Sequence, residues 1–108
     1  MLLLICISCS NDHLPDGILP EARMREVLWD VMRTDEWVNY ESVKDSSLNK
    51  YQRSMEMYAK VFRIHKITEA QFRKSFQYYE AHPKLLKPVF DSLQQRANRL
   101  SPLESTVR

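Results

Sequence analysis

Two thiols, three imidazoles and one aromatic–guanidinium cluster are the groups in this 108-residue chain with the clearest chemical potential. Cys9 follows an uninterrupted apolar run, Met1 to Ile7 (MLLLICI), and then the small residue Ser8. A thiol in that position can be joined through sulfur, as a thioether, to a diacylglyceryl group, and two or more acyl chains give stable membrane attachment. Cys6 would leave with the apolar run, so no second thiol remains and no disulfide is expected. His13, His65 and His82 are scattered, with no partner at metal-ligand spacing, so neither a metal nor another cofactor is expected. His65 falls on an apolar helical face, where a lone imidazole is expected to be a hydrogen-bonded core residue. Asp35 and Glu36 are adjacent, but neighbours on a helix point to different sides and cannot act as an acid–base pair. No H-E-x-x-H or G-x-S-x-G motif is present, no catalytic residue is assigned, and no enzyme is expected. Trp29, Arg33 and Trp37 stand at i, i+4 and i+8, which places two indoles around a guanidinium on one helical face. Such a face would stack well in a partner's groove and is the expected partner-binding surface. The alternative is a central helix covered on both sides.

Composition narrows the fold that must carry these groups. A single glycine, Gly17, argues against tight hairpins, phosphate-cradling loops and dinucleotide fingerprints. Hydrophobic content of 44% and charged content of 28% favour folding over disorder. The net charge of +2 hides an asymmetry. Residues 12–45 carry nine acids against four bases, and residues 46–108 carry twelve bases against five acids. Acidic and basic helices packed side by side explain this, as does an electropositive face that meets an acidic partner. The bases are spread over several helices, so nucleic acid is not an expected partner.

Apolar periodicity predicts four helices. The first begins at Pro20, a favourable first helical residue, and carries Met24, Val27, Leu28, Val31 and Val38 on one face. Asp35 interrupts that stripe, which predicts that the helix leaves the core or bends there. The second runs from about Ser47 to His65, with Leu48, Tyr51, Met55, Tyr58, Phe62 and His65 in line. A capping box of Thr68 and Gln71, with a hydrophobic staple of Ile67 and Phe72, opens the third. That helix shows Phe72, Phe76 and Tyr79 on one face, and Ser75 beside them leaves room for close approach. His82-Pro83 separates the third helix from the fourth. The fourth carries Leu86, Val89, Phe90, Leu93, Ala97 and Leu100, is perturbed by Pro88 and is expected to stop at Ser101-Pro102. The expected fold is all-α, a small antiparallel bundle of about four helices at residues 20–101, with a loose tail at 102–108.

The N-terminal run is too short to span a bilayer, which needs roughly 20 residues. With Ser8 and Cys9 it is similar to the lipobox of bacterial lipoproteins, with residues 1–8 as a truncated-looking signal and Cys9 as the lipidated residue. A secretory leader carries Lys or Arg ahead of its apolar run, and none precedes Leu2, so a start upstream of Met1 is expected. Residues 9–19 then read as the lipidated cysteine and a polar, turn-rich tether containing Pro15-Asp16-Gly17.

The chain resembles a family of small lipoproteins, mostly of Bacteroidota, known as domain of unknown function 4296. The resemblance is carried by Ile18-Leu19, Met24, Val27-Leu28 and Asp30, then by Tyr58, Val61-Phe62, His65, Ile67-Thr68 and Phe72. It closes with Ser75, Tyr78-Tyr79 and Pro83. It implies an envelope lipoprotein with a helical domain and no assigned activity, and Cys9 is the one position whose chemistry transfers.

The expected role is a lipid-anchored, periplasm-facing adaptor of the outer membrane that binds an envelope protein, with a barrel-assembly or transport component as one candidate. Docking would use the Trp29/Arg33/Trp37 face or the basic surface of the second and third helices. The alternative is a binding module for a small or acidic envelope ligand, lined by Tyr51, Tyr58, Tyr78 and Tyr79.

Overall fold

The computed structural model describes residues 14–107, with side chains through Leu100. Four helices and no strand occur among the described residues, in an all-α bundle: α1 Glu21–Lys44, α2 Lys50–Ile64, α3 Glu69–Glu80 and α4 Pro83–Val107.

Each boundary has a local chemical cause. Pro20 precedes α1 in extended conformation, and its carbonyl accepts from Met24 N–H at 2.8 Å. Asp45 ends α1 and accepts from both the backbone N–H and the hydroxyl of Ser47, closing a turn. That turn displaces the start of α2 three residues past the expected Ser47, to a cap at Asn49 that accepts from Gln52 N–H at 3.0 Å. Thr68 caps α3 as expected, accepting from Gln71 N–H at 3.0 Å. Its staple residues Ile67 and Phe72 both pack against the core.

α2 ends in a Schellman arrangement. Lys66 N–H donates to Arg63 O and Ile67 N–H donates to Phe62 O. Lys66 adopts a φ of 59°, in the left-handed region that usually holds glycine. Gly17, at φ 86°, sits third in a turn closed by Ile18 N–H donating to Pro15 O. That position requires a positive φ.

α4 starts at Pro83, as the sequence predicts, and Pro88 lies within it without ending it. The expected stop at Ser101-Pro102 is corrected: α4 remains helical to Val107. An interior proline removes one backbone hydrogen bond, which a long helix can absorb.

The helices assemble in a definite order. α1 and α2 run antiparallel, joined by three polar rungs: Glu41 to Arg53, Asp35 to Tyr58, and Asp30 to His65. Arg23, near the start of α1, donates to the His65 carbonyl at 2.6 Å. α4 lies on α1, where the Arg96 guanidinium covers the Trp29 ring at 4.3 Å and reaches Glu26 at 3.4 Å. The core between them holds Met24, Val27 and Leu28 of α1, Val61 and Phe62 of α2, Tyr79 of α3, and Val89 and Leu93 of α4.

Ile18 and Leu19, assigned from sequence to the end of the tether, are core residues. Ser75 Oγ accepts from Leu19 N–H at 2.9 Å, and Tyr79 Oη donates to Leu19 O at 2.8 Å. The small Ser75 therefore admits the incoming chain beside α3.

Candidate functional site

The apolar stripe of α2 divides along its length. Val61 and Phe62 are buried, whereas Met55 and Tyr51 are 38% and 74% exposed. The exposed half faces α3 across an open groove rather than a packed core. α2 supplies Tyr51, Met55, Tyr58, Ala59, Phe62 and Arg63 to this groove, and α3 supplies Phe72, Arg73, Phe76 and Gln77. Ile67, in the turn between them, is also part of the lining. The cavity is about 860 Å³.

The shape follows from the connection. α2 and α3 share a short turn, and the Phe62 and Phe72 rings meet beside it with centroids 5.1 Å apart. Phe72 and Phe76 stack at 6.0 Å along α3. Farther from the turn no comparable contact joins the two helices, because α2 packs chiefly on α1. The α2 wall, from Tyr51 to Arg63, extends about 18 Å at the α-helical rise.

The groove floor is aromatic and aliphatic, and three of the polar side chains in its lining, Tyr58, Glu69 and Arg73, are engaged. Tyr58 Oη donates to Asp35 of α1. Burial, and then the hydrogen bond to the Asp35 carboxylate, push the Tyr58 phenol up to about 12. Tyr58 is thus a neutral, anchored wall at ordinary pH. Arg73 is paired with Glu69 on its own helix. Arg63, at the closed end, and Glu80, at the open end, have no ion-pair partner among the described residues. Beside the open end, Arg53 donates to Glu41 at 2.9 Å and holds its carboxyl below the usual range.

The residues expected to form a partner-binding face share one side of α1 but differ in exposure. Trp29 is 7% exposed, belongs to the core and is covered by Arg96 of α4. Arg33 lies 5.9 Å from the Trp29 ring centroid and remains at the surface. Trp37 is 48% exposed and stacks on Tyr40 at 5.4 Å. The three therefore form no continuous exposed face, because α4 covers the Trp29 end.

The tyrosines expected around an interior ligand also divide. Tyr51 and Tyr58 line the groove, but Tyr79 is buried and bonded to Leu19. Tyr78 stacks on the His82 ring at 4.0 Å.

His65 is a bonded, largely covered residue, with Nε2 at 2.7 Å from Asp30 Oδ2. Cys9 and Cys6, which stand at C-x-x-C spacing, and His13 lie outside the described residues. Among the described residues no group of three or more His, Cys, Asp or Glu could hold a metal ion. No helix among them is long and apolar enough to cross a membrane.

Sequence periodicity placed Tyr51, Met55, Tyr58 and Phe62 on one α2 stripe, and the ligand alternative used Tyr51 and Tyr58 as lining, but spacing did not divide the stripe into a core half and a groove half. A stripe facing a neighbouring helix and a stripe facing an open groove have the same spacing. A family model described as domain of unknown function (DUF4296) matches residues 15–101. No curated protein and no solved structure matches.

Proposed function

Since the chain belongs to the family described as domain of unknown function (DUF4296), which prescribes no activity, we propose from its geometry that it is a non-catalytic adaptor. Its α2–α3 groove receives an apolar segment of an envelope protein. The observation that carries this reading is the aromatic groove itself, walled by Tyr58, Phe62, Phe72 and Phe76 and open at Met55 and Tyr51. Apolar atoms left exposed together in a concave surface favour burial by another molecule.

The reading includes a lipid anchor. The Met1–Ile7 run, Ser8 and Cys9 support acylation at Cys9 and attachment to the outer membrane facing the periplasm, as in envelope lipoproteins of Bacteroidota. The folded core begins by Ile18, so only a short polar segment separates Cys9 from it. The domain would stand close to the membrane surface, within reach of envelope proteins.

A second reading is favoured by the cavity volume. A space of about 860 Å³ falls in the range of roughly 300–1,000 Å³ typical of small-molecule sites. Such sites usually enclose most of their ligand, whereas this groove is only half-enclosed, which favours a polypeptide occupant.

The test is quantitative affinity capture of full-length protein from detergent-solubilised native envelopes, comparing wild type with Met55→Glu. The adaptor reading expects one envelope protein at near-stoichiometric yield with wild type, reduced at least tenfold by the groove charge. Equal recovery by both proteins would place the contact outside the groove.

A further inference from the structure

Resting on the reading of the groove as a docking site, we infer that its occupant is an amphipathic α-helix of the partner, lying along α2 and α3 with a fixed polarity. Its last turn, carrying an acidic side chain, lies at the Arg63 end. Its first turn, carrying a basic side chain, lies at the Glu80 end.

The helical form follows from the hydrogen-bonding poverty of the groove. An extended peptide would bring a row of backbone N–H and C=O groups against Met55, Phe62, Phe72 and Phe76. Those four side chains supply no partners, and Gln77 and Tyr51 could meet only a few groups of that row, so most of it would be buried unpaired, which is costly. Tyr58 Oη is already committed to Asp35 and the Arg73 guanidinium to Glu69. A helix satisfies its own backbone and needs to present only an apolar stripe. The α2 wall length of about 18 Å matches some twelve residues of helix, or three turns. A third helix in the cleft between two antiparallel helices buries its i, i+4 and i+7 side chains against both walls.

The polarity follows from charge. Arg63 and Glu80 sit on opposite helices at opposite ends of the groove, and neither has an ion pair among the described residues. A helix carries partial negative charge at its C-terminus and partial positive charge at its N-terminus. Placing the C-terminus beside Arg63 and the N-terminus beside Glu80 satisfies both. Acidic and basic side chains in the corresponding turns pair with Arg63 and Glu80 and favour the same orientation; because that order opposes the peptide's own dipole, its enrichment is a signature of the groove and not of helix stability.

The test is selection of a displayed library of helical peptides, eighteen residues long and randomised in sequence, on purified full-length protein. Anilinonaphthalene sulfonate fluorescence serves as a separate probe of apolar groove binding. The inference expects enriched peptides with apolar residues at i, i+4 and i+7, basic residues in the first turn and acidic residues in the last. Met55→Glu weakens their binding at least tenfold, with helicity by circular dichroism confirming that the variant folds. Selection on Arg63→Glu reverses the preference in the last turn to Lys or Arg. If no helix is enriched while the fluorescent probe binds wild type and not Met55→Glu, the helical occupant is overturned and the groove reading stands. If the probe does not distinguish the two proteins, both fail. Enrichment with the opposite charge order overturns the polarity.

Discussion

Leu19 is held by Tyr79 through its carbonyl, at 2.8 Å, while Ser75 of the same helix takes its N–H at 2.9 Å. The two bonds satisfy both backbone groups of a buried residue that enters the fold without helical structure of its own. Tyr79→Phe removes one donor and leaves the Leu19 carbonyl unpaired, which is expected to destabilise the domain by about 1–3 kcal/mol. Urea unfolding followed by circular dichroism measures this directly. A variant as stable as wild type would show that the entering segment is not anchored to α3.

Lys66 occupies the left-handed position that closes α2 and sets the vertex of the groove. A side chain there strains the backbone by about 1–2 kcal/mol, and part of that is offset because a glycine loses more freedom on folding. Lys66→Gly is therefore expected to stabilise the domain by about 0.5–1 kcal/mol and to raise Tm. A lower Tm would mean that the Lys66 side chain makes a compensating contact.

Trp29 and Trp37 are expected to behave oppositely. Trp29→Ala opens a cavity beneath Arg96 and is expected to cost about 3–5 kcal/mol. Trp37→Ala, at a half-exposed site, is expected to change stability by no more than about 0.5 kcal/mol. Acrylamide quenching of Trp29→Phe and Trp37→Phe variants reads the same difference, since the remaining Trp37 is quenched readily and the remaining Trp29 is not. Equal quenching would restore a continuous Trp29/Arg33/Trp37 face.

Tyr58 gives the groove wall a pH dependence. Its phenol is raised from 10.0 to about 12, first by burial and then by Asp35, so the fold favours the protonated form. A group whose pKa rises on folding contributes stability that is complete below its unfolded value and lost as pH climbs through its folded value. The stability difference between wild type and Tyr58→Phe is therefore expected to be constant below pH 10 and to shrink between about pH 10 and 12. Asp35→Asn is expected to bring the late tyrosinate absorbance step to lower pH. A step unmoved by Asp35→Asn would assign the shift to burial alone.

The helices were legible because their ends are written locally. Thr68 and Gln71, Pro83, and the stripe through Met24, Val27 and Leu28 act within one or two turns, and the structure places them as the sequence predicts. Asp35 interrupts its stripe because it is exposed and bonded to Tyr58, a residue 23 positions away. The groove was not legible for the same reason. Met55 and Tyr51 share the spacing of Phe62, and they stay uncovered because α2 packs chiefly on α1 and little on α3. Trp29 and Trp37 likewise share a face of α1, but α4 covers only the first. Local chemistry sets elements, while tertiary packing decides which side of an element remains free.

We propose that the groove, rather than the far end of the α1–α2 hairpin, meets a partner. A photo-crosslinking amino acid placed at Ala59, within the groove lining, and at Val43, which is 84% exposed on α1, separates the two in full-length protein within native envelopes. A discrete crosslinked adduct is expected from Ala59 that disappears when Met55→Glu is added, with no adduct from Val43. An adduct from Val43 alone, or an Ala59 adduct indifferent to Met55→Glu, would contradict it.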